Sequence, residues 1–264
     1  MKNYLVIGNP IEHSLSPQLH NHWIKIHKIN AAYAKKKINE DGLKDLICDV
    51  KDKKINGINV TVPFKKQVIP FLDKLSDEAK KTQSVNTIYL EENKTVGHNT
   101  DIEGFMQSIK CAKYDVKGKN ILVLGAGGVA PSIILALETM QANNITISNR
   151  TREKAENLKE KFNNIKIASW GDIPDFDMII NATSIGLNKE ESINLNFSKM
   201  KNKFFYDVIY NPRETDFLKN GKKFGNKTLN GKMMFIYQAF CAFKIWHQIS
   251  PEIDNETIRL LDND

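Results

Sequence analysis

An apolar run, Ile121 to Leu124, passes straight into Gly125, Ala126, Gly127, Gly128, Val129 and Ala130 near the middle of a 264-residue chain. A strand that ends in a glycine turn and opens a helix begins a dinucleotide-binding unit, so a whole further unit must be built ahead of it. Gly125 suits the tight turn, Gly127 lets the backbone approach a pyrophosphate, and Ala130 allows close helix packing, with the phosphates on the helix N-terminus. The next expected strand, Ile145 to Ser148, ends in Asn149, Arg150 and Thr151. An NAD-binding chain usually carries an acidic residue there for the ribose 2′-hydroxyl. A cation suits a 2′-phosphate instead, which points to NADP.

At this length the chain forms one large or two modest domains, and 41% hydrophobic with 9% aromatic residues can fill their cores. Met1 to Ile7 runs into a short strand and lacks the features of a secretory signal, and no apolar segment approaches the roughly 20 residues that span a bilayer. We therefore expect a cytoplasmic protein with no membrane partner, a monomer or homodimer. Cys48, Cys111 and Cys241 are scattered and odd in number, which suggests neither a disulfide framework nor a metal site. They are expected to be buried small hydrophobes. The formal charge of +7 comes from lysines spread through the chain, such as Lys35 to Lys37, Lys51, Lys53 and Lys54. With no nucleic-acid motif beside them, they point to a small anionic metabolite and not to nucleic acid.

Ahead of the glycine turn, short apolar strands alternate with amphipathic helical stretches. Strands are expected at Tyr4 to Ile7, Ala32 to Ala34 and Ile55 to Val62, and helices at Pro17 to His27, Gly42 to Val50, Lys65 to Leu75 and Ser76 to Thr82. This rhythm predicts an α/β fold with a mostly parallel sheet. It restarts at Ile121, with further strands at Ile145 to Ser148, Ile165 to Ala168, Met178 to Asn181 and Phe204 to Val208, giving a Rossmann-type second sheet. Met233 to Gln248 is an apolar, aromatic-rich helical stretch too long for a connector, most of whose aromatics are expected to pack in a core. Two α/β domains result, 1–101 with a returning C-terminal helix at 233–264, and 102–232. They are joined by a helix starting near Ile102, with the space between them the natural ligand cleft.

Several polar groups sit where a cleft can use them. Ser14 and Ser16 flank one residue ahead of Pro17, forming a donor cluster for a carboxylate at a helix N-terminus, although capping alone explains Ser16. Strand alternation puts Asn59 and Thr61 on one face and sends Val60 and Val62 into the core, with Lys65 just past the strand end. Asn86 and Thr87 precede another strand. Asp101, after Asn99 and Thr100, opens the linking helix and is either its cap or a functional acid.

Together these segments resemble the shikimate dehydrogenase family over nearly the full chain. The motifs are Gly8 to Pro17, Asn59 to Lys65, Val85 to Thr87, Asn99 to Asp101, Gly125 to Gly128, Asn149 to Thr151, Asn181 to Gly186, Asp207 to Pro212 with Thr215, and Asn230 with Gly231 followed by Met234 and Gln238. The resemblance implies a substrate-binding and catalytic domain followed by an NADP-binding Rossmann domain, and NADPH-dependent reduction of 3-dehydroshikimate to shikimate in aromatic amino acid biosynthesis. It implies that Lys65 and Asp101 are the catalytic pair, that Ser14, Ser16 and Tyr210 hold the substrate carboxylate, and that Asn59, Thr61, Asn86, Asp101 and Gln238 contact ring hydroxyls. For the cofactor it implies Asp77, Gly125, Ala126, Gly127, Gly128, Val129, Asn149, Arg150, Thr151, Arg152, Glu153, Lys154, Thr183, Val208, Gly231 and Met234, and it implies no metal. Met233 stands where the family's closing motif usually has glycine, and Ser84 replaces a small apolar residue. Two alternatives stay open at this point: an NAD-dependent quinate/shikimate dehydrogenase, and a non-catalytic NADP-binding regulatory module.

Overall fold

In a computed structural model that describes residues 1–188 and 190–262, the chain divides into two units, Met1–Gly104 with the stretch from Ile236 onward, and Phe105–Phe235. The first unit runs β1 (Lys2–Gly8), α1 (Ser16–Ile26), β2 (Ala31–Lys37), α2 (Leu43–Lys51), β3 (Gly57–Val60), β4 (Lys74–Leu75), α3 (Asp77–Thr82), β5 (Thr87–Glu91) and β6 (Lys94–His98). Its six strands lie in the order β2-β1-β3-β5-β6-β4. β1 pairs in parallel with β2 and β3, while β5 pairs antiparallel with β3 and β6. All four residues of β3 are buried, as a central strand covered on both faces requires. Leu43, Leu46, Ile47 and Val50 form the apolar stripe of α2 and pack with Ile7, Ile58, Val60 and Ile88 in one core.

The unit boundaries fall inside α4 (Asp101–Cys111) and inside α8 (Lys232–His247). The C-terminal half of α8 belongs to the first core. Trp246 packs 5.0 Å from the Tyr4 ring and donates its indole N–H to the Ile88 carbonyl at 3.1 Å, and Phe243 meets Trp23 of α1 edge-on at 5.5 Å. α9 (Asn255–Arg259) follows, capped by the Asp254 side chain on the Thr257 N–H.

The second unit is a fully parallel sheet built from β7 (Asn120–Leu124), β8 (Asn144–Ser148), β9 (Ile165–Ala168), β10 (Met178–Asn181), β11 (Phe204–Asp207) and β12 (Lys227–Leu229). The connecting helices include α5 (Ala130–Thr139), α6 (Arg152–Lys159) and α7 (Asp216–Lys223). The strand order β12-β11-β10-β7-β8-β9 reverses direction between β7 and β10. In doubly wound sheets that switch point, at the carboxyl ends of the strands, is where nucleotides bind. Phe176, Phe197, Phe205 and Phe217 fill one face of this sheet.

Four expectations are corrected. Lys65 to Leu75 is not a helix but a run of turns, a 3₁₀ turn at Ile69–Phe71 and the two-residue β4. Pro70 removes an N–H and disfavours helical geometry at Ile69, so the bonds there tighten to Phe71 N–Val68 O and Leu72 N–Ile69 O. Val62 is 59% exposed instead of buried, because β3 pairing ends at Val60 and the strand alternation ends with it. Cys48 and Cys111 are exposed and Cys241 is only half-buried. Cys48 falls off the Leu43–Val50 stripe of α2, and Cys111 is the last residue of α4. Ser16 is the first helical residue of α1 and not its cap. The cap position is Leu15 without a side-chain bond, while the Ser14 hydroxyl accepts from the Ser16 N–H at 3.4 Å.

Each unit buries one group that titrates in the wrong medium. His20 of α1 is 1% exposed, lies parallel to the Tyr33 ring at 4.2 Å, and has neither ring nitrogen hydrogen-bonded. Burial, with His247 beside it, pushes its pKa down to about 3. Asp207 at the end of β11 is 0% exposed, and burial pushes its carboxyl up to about 6 even though Thr215, the Ile209 N–H and Asn181 all donate to it. As pH falls below about 6.5 the unfolded His20 takes a proton that the folded group refuses, so stability drops. Asp207 has the opposite sign: the folded carboxyl takes a proton near pH 6 that the unfolded one refuses, so stability rises. Going from pH 7 to pH 5, His20 should therefore destabilise the first unit by about 2 kcal/mol and Asp207 should stabilise the second by about 1 kcal/mol. Native-state hydrogen exchange, corrected for intrinsic rates, reads both at once. His20→Phe should reduce the first change, leaving the share of His247 and His98, whose imidazoles burial also pushes down, and Asp207→Asn should abolish the second; protection of the first unit that holds or grows at pH 5 would contradict a neutral buried imidazole.

Candidate active site

β3 ends at Val60 and the chain turns through Val62 and Pro63, so Lys65 emerges directly beyond the sheet's edge of polar side chains. Its main-chain carbonyl accepts from the Val85 N–H at 2.8 Å, which ties that turn to the segment before β5. The Lys65 ammonium donates to Asp101 Oδ2 at 2.5 Å, with the two side chains only 15% and 8% exposed. Asp101 Oδ1 accepts from Asn86 Nδ2 at 2.9 Å, and the Asp101 N–H donates to Asn99 Oδ1 at 3.1 Å. Asp101 is thus the first residue of α4, with its carboxylate turned onto Lys65.

The amide orientations are fixed by backbone partners. The Thr100 N–H donates to Asn86 Oδ1 at 2.8 Å, so Nδ2 must be the atom facing Asp101. Asn59 Nδ2 donates to the Asn86 carbonyl at 3.0 Å and to Thr87 Oγ1 at 3.1 Å, and Thr87 Oγ1 donates in turn to Asn86 Oδ1 at 3.0 Å. Donors therefore point one way, from Asn59 through Thr87 and Asn86 to the Asp101 carboxylate. The chain of donors ends on an Asp101 carboxyl that accepts from Asn86 at one oxygen and from Lys65 at the other. Asn59, Asn86, Thr87 and Asp101 are all at least nine-tenths buried.

Of the other residues expected to meet substrate, Thr61 is half-buried at the mouth of the β3 turn, where its carbonyl accepts from the Phe64 N–H. Ser14 is half-buried, Ser16 is buried beside Tyr33, and Gln238 is half-buried on α8 in the first unit. Tyr210 belongs to the second unit, stacked on Phe235 at 4.5 Å between centroids. Burial pushes its phenol up to about 12, so it stays a donor at neutral pH. Asp77 lies in the first unit at the start of α3, nearly fully exposed, and pairs with Lys80 at 3.2 Å.

The remaining cofactor candidates gather at the switch point of the second sheet. Gly125 follows β7 with φ +105°, and a Cβ there would meet Thr183 Cγ2 at 2.8 Å, so the left-handed turn and the neighbouring strand both demand glycine. The Ala126 N–H donates to Asn149 Oδ1 at 3.0 Å, and Asn149 Nδ2 donates to the Thr151 carbonyl at 2.7 Å, which fixes the loop after β8 against the glycine turn. Gly231 is buried where a Cβ would stand 2.1 Å from the Val208 carbonyl oxygen, locking Val208 to the start of α8 near the buried Met234. Met233 is half-buried in that first turn. Thr183 bonds Asn181 Oδ1 at 2.7 Å, and Asn181 bonds Asp207 at 3.0 Å, so the loops carrying Thr183 and Val208 share one buried network.

A phosphate-bearing dinucleotide fits these residues. A Cβ built at Gly127 or Gly128 meets nothing within 4 Å, leaving open space over the start of α5. The Ala130 N–H is spent on the Gly127 carbonyl, Pro131 has none, and the Ser132 and Ile133 N–H groups turn to the Val129 carbonyl, so what the start of this helix offers an anion is its positive end, with no acidic residue in the first turn to oppose it. Arg150, Thr151, Arg152, Glu153 and Lys154 are exposed, and Arg152 is tied to Glu156 at 2.8 Å. Among the described residues Arg150 has no such partner, so its exposed guanidinium is open to an anion.

Thr87, Thr100 and Asn99 complete the buried network but were not among the residues expected to act. The signal was present in their position beside Asn86 and Asp101. Tyr33 had no local signal at all, because it reaches the site from β2. No group of three or more metal-binding side chains and no membrane-spanning helix occurs among the described residues.

Residues 6–88 match the shikimate dehydrogenase substrate binding domain, and residues 108–222 match the shikimate / quinate 5-dehydrogenase domain. A shikimate dehydrogenase (NADP(+)) of Pelagibacter ubique is 61% identical over 262 residues, covering 99% of each chain. The crystal structure of shikimate dehydrogenase from Aquifex aeolicus superposes with a TM-score of 0.91 at 38% identity, covering 100% of this chain and 98% of that one. Shikimate 5-dehydrogenase from Thermus thermophilus, crystallised with NADP(H) and shikimate, gives a TM-score of 0.91 at 28% identity and 99% coverage of both chains. With both domains matched in order and a relative of such identity along nearly the whole chain, the protein belongs to the shikimate dehydrogenase family.

Proposed function

We propose that the protein catalyses the reversible NADPH-dependent reduction of 3-dehydroshikimate to shikimate, a step toward the aromatic amino acids. The observation that carries this reading is a lysine and an aspartate paired at 2.5 Å and fed by one-way hydrogen bonds from Asn59, Thr87 and Asn86. When bound, NADPH supplies a hydride from C4 of its nicotinamide. The protein's task is to manage the charge that this leaves on the ketone oxygen. The Lys65 ammonium stabilises that oxygen and gives it a proton, and Asp101 keeps the amine placed beforehand. In the opposite direction the neutral amine accepts the hydroxyl proton.

Within this reading the first unit is the substrate domain and the second the NADP-binding domain. Ser14, Ser16 and Tyr210 serve the carboxylate, and Asn59, Thr61, Asn86, Asp101 and Gln238 the ring hydroxyls. Arg150 takes the 2′-phosphate, with Asn149, Thr151, Arg152 and Lys154 around it, while Gly125 to Val129 cradle the pyrophosphate. Exposed thiols at Cys48 and Cys111 suit a reducing compartment, and we place the enzyme in the cytoplasm. Purified protein offered shikimate or quinate with NADP⁺ or NAD⁺, followed by absorbance of the reduced nicotinamide, should turn over shikimate with NADP⁺ fastest. A preference for quinate with NAD⁺, or no turnover with any pair, would replace this assignment.

A further inference from the structure

Tyr33 stands on β2, outside every motif used so far, and is 3% exposed. Its hydroxyl lies 2.7 Å from Asn59 Oδ1. The direction of this bond is forced. Asn59 turns its Nδ2 to the main-chain carbonyl of Asn86, which can only accept, so Oδ1 faces Tyr33 and the phenol must donate to it. The ring is stacked on His20 at 4.2 Å and 1°, so it is held in place by packing as well as by that hydrogen bond.

We infer that Tyr33 is a positioning residue for substrate binding, whose hydroxyl holds the Asn59 amide oxygen in place. The inference rests on the functional reading above, in which Asn59 meets a ring hydroxyl. Tyr33 also starts the one-way chain of donors, since its proton goes to Asn59, whose amide hydrogens go to Thr87 and the Asn86 carbonyl. Without that proton the buried Asn59 oxygen has lost its donor, and the side chain is held only by the two bonds from its Nδ2.

Tyr33→Phe keeps the stacked ring and removes only the hydroxyl. The KM for shikimate should rise about tenfold, with kcat within threefold of the parent and the KM for NADP⁺ unchanged. In an Asn59→Ala background the same substitution should add less than twofold, because the residue through which Tyr33 acts is already gone. Melting temperature and NADP⁺ affinity, measured alongside, separate positioning from folding. An unchanged or lowered KM for shikimate overturns the inference, as does a variant that loses shikimate binding, NADP⁺ binding and thermal stability together. A parent enzyme that fails to bind shikimate sinks the functional reading instead.

Discussion

Replacing Lys65 with alanine is expected to lower kcat by about 10²- to 10⁴-fold with a much smaller change in KM. The ketone oxygen gathers charge only as hydride arrives, so a lost ammonium is felt in the transition state more than in the bound substrate. Asn86 Nδ2, which donates to Asp101 at 2.9 Å in the parent, does not depend on Lys65. Asp101 is, however, left 8% exposed without its cation, and a loss of stability should accompany the loss of rate. Lys65→Arg separates the two effects: its guanidinium restores a positive partner for Asp101 yet holds its protons too tightly to deliver one, so melting should recover while kcat stays low. Steady-state rates in both directions, with melting curves, test the pair. Activity of the alanine variant within several-fold of the parent would remove Lys65 from the chemistry.

The second unit was legible in the sequence nearly strand for strand because each signal was local. Met178–Asn181 is a short, fully buried apolar run, as a central parallel strand covered on both faces reads, and Ile165–Ala168 at the sheet's edge alternates isoleucine with an exposed lysine. β12, three residues long with an exposed lysine, carried no such run and went unnoticed. In the first unit the hairpin between β5 and β6 was hidden for a different reason. Its turn places Glu92 and Asn93 at φ +49° and +59°, a two-residue geometry usually signalled by glycine, and no glycine is there. The run after Lys65 has helical composition but contains Pro70, whose missing donor outweighed the apolar spacing.

The site divided along the same line. Lys65, Asn86 and Asp101 sit in short motifs whose residue types name their chemistry, and the fold brings those three together. What one sequence could not supply was the wiring between motifs. That Tyr33 of β2 would reach Asn59 of β3 depends on both pairing with β1, so that Tyr4 lies beside Tyr33 and Val6 beside Asn59. Register of this kind is a tertiary fact, and no local pattern around Tyr33 encodes it. The Ser16 capping expectation failed by one residue of helix boundary, since the helix starts at Ser16 itself and Leu15 takes the cap position.

Arg150→Ala should weaken NADPH by about 10- to 150-fold and leave NADH nearly unchanged, the range that corresponds to losing roughly 1.5–3 kcal/mol of charge-assisted hydrogen bonding. The selectivity follows from chemistry the two cofactors do not share, because only NADPH carries the 2′-phosphate that a guanidinium fork can grip. Arg150 is suited to this because it is exposed and, among the described residues, has no ion-pair partner to give up, whereas Arg152 must first leave Glu156 at 2.8 Å. Arg152→Ala should therefore cost less discrimination than Arg150→Ala. Exposure also means screening: raising ionic strength from 0.01 M to 1 M, where the Debye length falls from about 30 Å to about 3 Å, should shrink the parent's preference for NADPH toward that of the Arg150 variant. Direct binding of each cofactor by fluorescence titration measures all of this without turnover. Equal weakening of NADPH and NADH by Arg150→Ala would assign the side chain to the shape of the loop after β8 and leave the 2′-phosphate to another cation.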